Sequence, residues 1–200
     1  MKMLRKRGWR LICCGLMLIF ASILLYWTEQ QQDQMAGNNA DILLQQLELS
    51  RVPTQTVPAQ TQTPSAADLP MPEKEYLGYA MIGTVRVPAV EIELPVLSSW
   101  SYALLDVAPC RYQGSVSGKN MTIIGHNYKS HFTPLHKAAV GDEVSFEDVN
   151  GKVYRYCVAE ITYLHKNEGE KLPSDYPLTL LTCTPGGQNR IIVRCAMSDT

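Results

Sequence analysis

Three side chains have the chemistry of a thiol acyl-transfer site: Cys183, His126 and Arg190. Cys183 closes the apolar run Thr179-Leu180-Leu181-Thr182-Cys183 and is followed by Thr184-Pro185-Gly186-Gly187. That tetrapeptide reads as a turn, so the thiol stands at a strand exit where a substrate can reach it. Arg190 opens the next run, Arg190-Ile191-Ile192-Val193-Arg194. Strand alternation puts Arg190, Ile192 and Arg194 on one face, and Ile191, Val193 and Cys195 on a wholly apolar face that reads as core. A guanidinium beside a cysteine favours the thiolate and donates paired hydrogen bonds to a carbonyl or a developing oxyanion. Arg194 shares that face and competes for the role. His126 follows Met121–Ile124 and Gly125 at a polar turn with Asn127. There an imidazole can take a proton from the thiol and return it to a leaving amine. Taken singly, each residue also has a plainer reading: a cysteine as a small core hydrophobe, a solvated strand-edge arginine, a structural histidine. His131, His136 and His165 lack such a setting and read as surface residues.

The elements that must position these groups are short β runs. Ala80–Val87, Glu91–Leu97, Met121–Ile124, Glu143–Phe146, Lys152–Ile161, Leu178–Thr182 and Arg190–Met197 alternate or are apolar throughout, and Asn150-Gly151 is a hairpin signal. Helical spacing is confined to Trp100–Leu105 and Thr133–Ala139. Seven or eight strands in about 125 residues indicate a mainly β fold, a closed barrel or a sandwich. Upstream the composition changes. Lys2, Arg5, Lys6, Arg7 and Arg10 form a basic tail over residues 1–10. Leu11–Trp27 carries no formal charge across seventeen residues. That length nearly crosses a hydrocarbon core of roughly 30 Å, and Tyr26-Trp27 suits the interface. No small-x-small cleavage site follows, so residues 11–27 read as an uncleaved signal anchor with the tail in the cytoplasm and the rest outside. Residues 28–75 read as a stalk, proline-punctuated and polar over Val52–Pro64, with a short amphipathic helix at Asp41–Leu49. The catalytic domain is expected over residues 76–200.

Charge and cysteine usage narrow the chemistry. Beyond residue 27 the chain has thirteen Lys/Arg against nineteen Asp/Glu, a net of −6, which argues against a nucleic-acid surface. Cys13 and Cys14 fall in the anchor, and no Cys/His spacing suggests zinc. Cys110, Cys157 and Cys195 are expected to be buried free thiols, although a disulfide among them is conceivable in an exported domain.

Together the motifs resemble the sortases, cysteine transpeptidases of Gram-positive cell envelopes. Thr179–Cys183 is the family's Thr-Leu-x-Thr-Cys active-site motif, intact. Arg190-Ile191-Ile192-Val193-Arg194 is similar to its Arg-Leu-Leu-Val-Arg segment, which assigns the arginine role to Arg190. Ile123-Ile124-Gly125-His126 looks like its histidine site, and Ile82-Gly83-Thr84-Val85-Arg86-Val87-Pro88 through Leu94-Pro95-Val96 is similar to its first two strands. The resemblance covers about residues 76–197. It implies a closed eight-stranded sortase-type β-barrel on a single-pass membrane protein, the catalytic domain extracellular. It implies that Cys183 attacks a Leu-Pro-x-Thr-Gly-like sorting signal to give a thioacyl-enzyme, resolved by an amine of a peptidoglycan cross-bridge or a pilin. His126 would be general acid/base, Arg190 would hold substrate and oxyanion, and Thr182 would help form the oxyanion site. No organic cofactor is implied. Some sortases bind calcium through acidic loops, but Asp142, Glu143, Glu147 and Asp148, or Glu168 and Glu170, read more simply as solvated hairpin residues. The loop between Cys183 and Arg190 has only six residues. No second apolar span follows Met197 and no lid sequence precedes the barrel, which weighs against the usual pilin-polymerase type. Two other readings use the same chain: an anchored cysteine endopeptidase with water as acceptor, and a surface β-barrel interaction protein without catalysis. Residue order argues against a papain-like fold, because there the cysteine precedes the histidine and opens a helix.

Overall fold

Short β-branched runs punctuated by Gly, Pro and Asn fold into nine strands in this computed structural model, which describes residues 2–49, 71–165, 167 and 175–198, with side chains from Cys14 onward except Glu29. The strands are β1 (Lys74–Tyr76), β2 (Tyr79–Val87), β3 (Ile92–Leu97), β4 (Cys110–Gln113), β5 (Met121–Ile124), β6 (Glu143–Asp148), β7 (Val153–His165), β8 (Leu178–Cys183) and β9 (Asn189–Met197). Their order is β1-β2-β3-β4-β5-β8-β9-β7-β6, and β2 also pairs with β6. That last pairing closes eight strands, β2 to β9, into a ring, leaving β1 as a flap on the start of β2. The expected eight-stranded barrel is therefore present. Helical structure inside it is slight: α2 (Tyr102–Leu105) and a 3-10 turn at Thr133–Lys137.

Barrel closure depends on one glycine. Gly83 lies at a register shift in β2 and pairs with Asp148 of β6. A Cβ there would fall 2.1 Å from the Glu147 carbonyl oxygen and 2.8 Å from the Phe146 ring. Only a residue without a side chain lets β6 approach closely enough to finish the ring. Inward-facing residues such as Val85, Val96, Ile123, Phe146, Leu180 and Val193 fill the interior and are fully buried. Barrels of this size are filled by side chains and leave no channel.

The segment read as a stalk differs from expectation. Helix α1 runs Lys2–Leu49, so residues 28–49 are helical throughout. Those residues contain no proline, and their six Gln and four Leu, good helix formers, outweigh the weaker Gly37, Asn38 and Asn39. The chain divides into two compact units, Met1–Met35 and Ala36–Thr200. In the second, Ala36, Ala40, Leu43 and Leu47 form a buried stripe at helical spacing. Leu43 and Leu47 pack with Tyr76, Met81, Leu97 and Leu105. Ile42 and Leu49, also expected on the apolar face, are exposed. The proline-rich stretch Val52–Pro64 lies outside the described residues.

In the first unit, Leu16, Met17, Leu18, Ile19 and Phe20 are all exposed. Among the described residues no helix is long and apolar enough to cross a membrane. The side chains of Leu11, Ile12 and Cys13, which begin the expected anchor, lie outside the described ones.

Candidate active site

Two strand registers bring the three candidate residues to one end of the barrel. β8 and β9 are antiparallel, with Cys183 directly opposite Arg190. Cross-strand partners share a face, so sulfur and guanidinium project from the same side. β5 and β8 are parallel, with Ile124 beside Leu181. The next ladder bond, from the Gly125 N–H to the Leu181 carbonyl at 3.0 Å, keeps the register beyond the strands. Two residues past each member of that pair stand His126 and Cys183, at the carboxyl ends of neighbouring strands. All three residues are half-buried.

Local chemistry fixes each position. The turn after Cys183 closes on itself: Thr184 N–H donates to the Asn189 carbonyl at 2.8 Å, and Asn189 N–H donates to Thr184 Oγ1 at 3.1 Å. Gly186 and Gly187 take φ of 81° and 67°, the left-handed region that a side chain disfavours. This tight hairpin sets Arg190 opposite the thiol. The histidine loop folds over Gly125, where a Cβ would meet the Phe132 ring at 2.8 and 2.9 Å. Phe132 N–H returns to the His126 carbonyl at 3.2 Å, and the Thr133 hydroxyl donates to the Asn127 carbonyl. Asn127 Nδ2 donates to the Thr184 carbonyl at 3.4 Å and so ties the histidine loop to the cysteine loop.

The competing arginine is engaged elsewhere. Arg194 Nη1 lies 3.0 Å from Glu160 Oε1 and 3.1 Å from Thr162 Oγ1. The Thr162 hydroxyl bond to Glu160, with Arg194 beside it, holds that carboxyl below its usual pKa. Between the two arginines the outer face is apolar: Leu181, Ile192 and Leu164 are buried together with Ile124 against them. The face carrying Cys183 thus has its own small core.

Thr182, expected to help form the oxyanion site, turns its side chain away from that end of the barrel. β8 alternates, so Thr182 points into the barrel on the face of Leu178 and Leu180; it is fully buried and its Oγ1 has no hydrogen-bond partner among the described residues. Its hydroxyl is turned from the sulfur. His131, read as a surface residue, is buried beneath the same loop with Tyr128 against it, ring centroids 5.4 Å apart. Cys110 and Cys195 are buried, and burial pushes both thiols up to about 12. Cys157 is only half-buried, because Tyr156 and Val158 take the inward positions of β7.

Two residues at the site carry no signal in the sequence reading. Asp106, just past α2, places Oδ1 3.4 Å from His126 Nε2. Tyr128 donates its hydroxyl to the same Asp106 oxygen at 2.8 Å, and its ring lies 4.8 Å from the imidazole. Burial lowers the His126 pKa, and the Asp106 charge works against that. Among the described residues no cluster of His, Cys, Asp and Glu could hold a metal ion; Glu168 and Glu170 lie outside them.

A β-barrel with a cysteine, an arginine and a histidine gathered at one end has the architecture of a sortase. The chain belongs to the sortase family: residues 85–198 match the Sortase domain model. It is 29% identical over 129 residues to sortase A of Listeria monocytogenes, covering 61% of this chain and 58% of that one. With sortase A of Bacillus anthracis the identity is 31% over 110 residues, 52% of each chain. The chain thus spans about half the length of the curated relatives it matches. Among solved structures, sortase C1 of Streptococcus suis superposes with a TM-score of 0.53 at 25% identity, covering 60% of this chain and 74% of that one. Sortase A of Corynebacterium diphtheriae gives 0.54 at 22% identity, covering 61% and 62%. Neighbours of different class names fit equally well, so the barrel alone does not separate the classes.

Proposed function

We propose that this chain is a membrane-anchored cysteine transpeptidase that cleaves a Leu-Pro-x-Thr-Gly-like sorting signal and transfers the acyl group to an amine of the cell wall or of a pilin. The observation that carries the reading is the register pairing Cys183 with Arg190, with His126 alongside on the parallel neighbour. The Cys183 thiolate adds to the threonine carbonyl carbon, and Arg190 donates hydrogen bonds to the oxygen as it becomes negative. The tetrahedral adduct collapses as His126 gives its proton to the departing glycine amine. The C–N bond breaks and a thioester remains on Cys183. An incoming amine then attacks the thioester, His126 takes its proton, and the thiolate leaves. The apolar floor of Ile124, Leu181, Ile192 and Leu164 suits the leucine and proline of such a signal. Leu11–Trp27 serves as the anchor, with the basic residues on the cytoplasmic side and the catalytic domain outside.

Mass spectrometry of the protein with Leu-Pro-x-Thr-Gly-like peptides, with and without glycine or lysine amines, tests this. The expected result is an acyl adduct on Cys183 that passes to the added amine. Hydrolysis alone, whatever amine is offered, would make the chain an endopeptidase. No adduct with any peptide, or unchanged activity in Cys183→Ala, would remove the assignment.

A further inference from the structure

The cysteine, arginine and histidine leave one charged group at the site without a role. Asp106 follows α2, a short helix fixed at both ends. Ser101 Oγ accepts from the Leu104 N–H at 3.1 Å, and Leu105 is buried against Leu97 and Met81. The carboxylate is therefore presented from a braced position, not from a free loop. It receives the Tyr128 hydroxyl at 2.8 Å and faces His126 Nε2 at 3.4 Å. The Tyr128 ring of its own loop lies 4.8 Å from the imidazole, and strand register puts Cys183 of β8 and Arg190 of β9 at the same end of the barrel.

We propose that Asp106 is a positioning residue for His126: its carboxylate, steadied by Tyr128, holds Nε2 and leaves Nδ1 as the nitrogen that exchanges the proton with Cys183. The inference rests on the transpeptidase reading. A carboxylate near Nε2 favours the tautomer with its proton there, because Nε2–H can point at the oxygen. The Nδ1 lone pair is then free to accept from the thiol. When the proton moves from Sγ to Nδ1, the imidazolium gains the nearby negative charge, and the same Nδ1 proton later goes to the leaving amine. Tyr128 acts in the opposite sense on charge. Its hydroxyl shares the Asp106 oxygen and weakens what the carboxylate offers to His126, while its ring limits how the imidazole can turn.

Asp106 is exposed, so water screens the interaction and its effect is severalfold, not many orders of magnitude. A surface pair of this kind moves a histidine titration by roughly 0.3–0.7 pH unit. Each fall of that size lowers the proportion of imidazolium–thiolate relative to imidazole–thiol by about two- to fivefold.

The test is NMR of the full chain in detergent micelles with labelled histidines, His126 being assigned by its loss in His126→Gln. In the wild type, neutral His126 should show the Nε2–H tautomer. Asp106→Asn should lower its titration midpoint by roughly half a pH unit, and Tyr128→Phe should raise it. Asp106→Asn should also lower kcat about two- to fivefold with little change in KM for the peptide. A merely structural role would move both variants the same way. Midpoints that shift together, or an unmoved midpoint in a folded Asp106→Asn, overturn the proposal. An inactive wild type would sink the transpeptidase reading while leaving the titration shift to be read on its own.

Discussion

At the scale of single residues, the division of labour between the two arginines of β9 comes from alternation and register. Arg190 and Arg194 share a face, four residues apart, yet one stands across from Cys183 and the other is engaged with Glu160 and Thr162. Replacing Arg190 by alanine should lower kcat/KM by about 10²–10³, the range found for loss of one oxyanion donor. Arg190→Lys should recover only part of that, since an ammonium keeps the charge but not the paired geometry. Arg194→Lys should stay within about twofold of wild type, because the ion pair it alters is partly solvated. Steady-state kinetics on all three decides it, and an Arg194 variant as damaged as Arg190→Ala would reverse the assignment. Cys183 was legible from its place at a strand exit before a turn, whereas alternation left Arg190 and Arg194 on one face and only the resemblance to the family's motif chose Arg190. Asp106 was not legible: it meets His126 only through the path of β3, α2 and β4, a long-range arrangement that no local spacing encodes. Thr182 follows the same alternation: adjacent to Cys183 in sequence, it turns its side chain to the opposite face of β8.

Among the elements, the loop after β5 and the end of α1 show how packing decides what local sequence leaves open. Gly125 admits the Phe132 ring against its Cα, and that contact folds residues 126–132 over the site. Gly125→Ala should force the ring away and shift the imidazole. The expected outcome is a loss of about tenfold or more in kcat/KM, since small misplacements of a catalytic group are costly. The same reliance on packing explains His131, read as a surface residue for want of a strand-end setting although the loop buries it. For α1, Leu43 and Leu47 are each about 2% exposed, and burying one leucine contributes roughly 1.5–3 kcal/mol. Leu47→Ala should therefore cost about 2–5 kcal/mol. Hydrogen exchange should show residues 36–49 opening first, ahead of the barrel strands. Equal protection loss in β5 and β8 would mean that the helix and the barrel unfold as one unit. The amphipathic helix at Asp41–Leu49 was readable from its leucines; its extension through Ala36 was not, because Gly37, Asn38 and Asn39 are weak helix formers that read as polar linker.

For the whole molecule, two buried clusters keep ionisable groups neutral, and this makes stability depend on pH in a stated direction. Cys195 is sealed in the barrel core and Cys110 in the cluster that Leu43 and Leu47 share with Met81 and Leu97, and desolvation raises both thiols from 9.0 to about 12. Burial raises the Tyr156 phenol as well. In the unfolded chain these thiols ionise near their ordinary pKa, while in the folded chain they stay protonated. The folded state then binds more protons between about pH 9 and 12, so stability is complete below pH 9 and falls as pH rises through that window. At pH 10.5 the loss should be about 2 kcal/mol per thiol, from the distance above the unfolded pKa. Denaturant unfolding of the full chain at pH 8 and pH 10.5 measures it. Cys110→Ala and Cys195→Ala each leave a cavity and lower stability at both pH values, but each should flatten the alkaline slope by one thiol's share. Selective alkylation belongs to the same argument: a neutral, buried thiol reacts slowly, so a thiol reagent at pH 8 should find Cys183 well before Cys110 or Cys195. An alkaline slope unchanged in both interior variants would show that these two thiols are not held neutral by the fold.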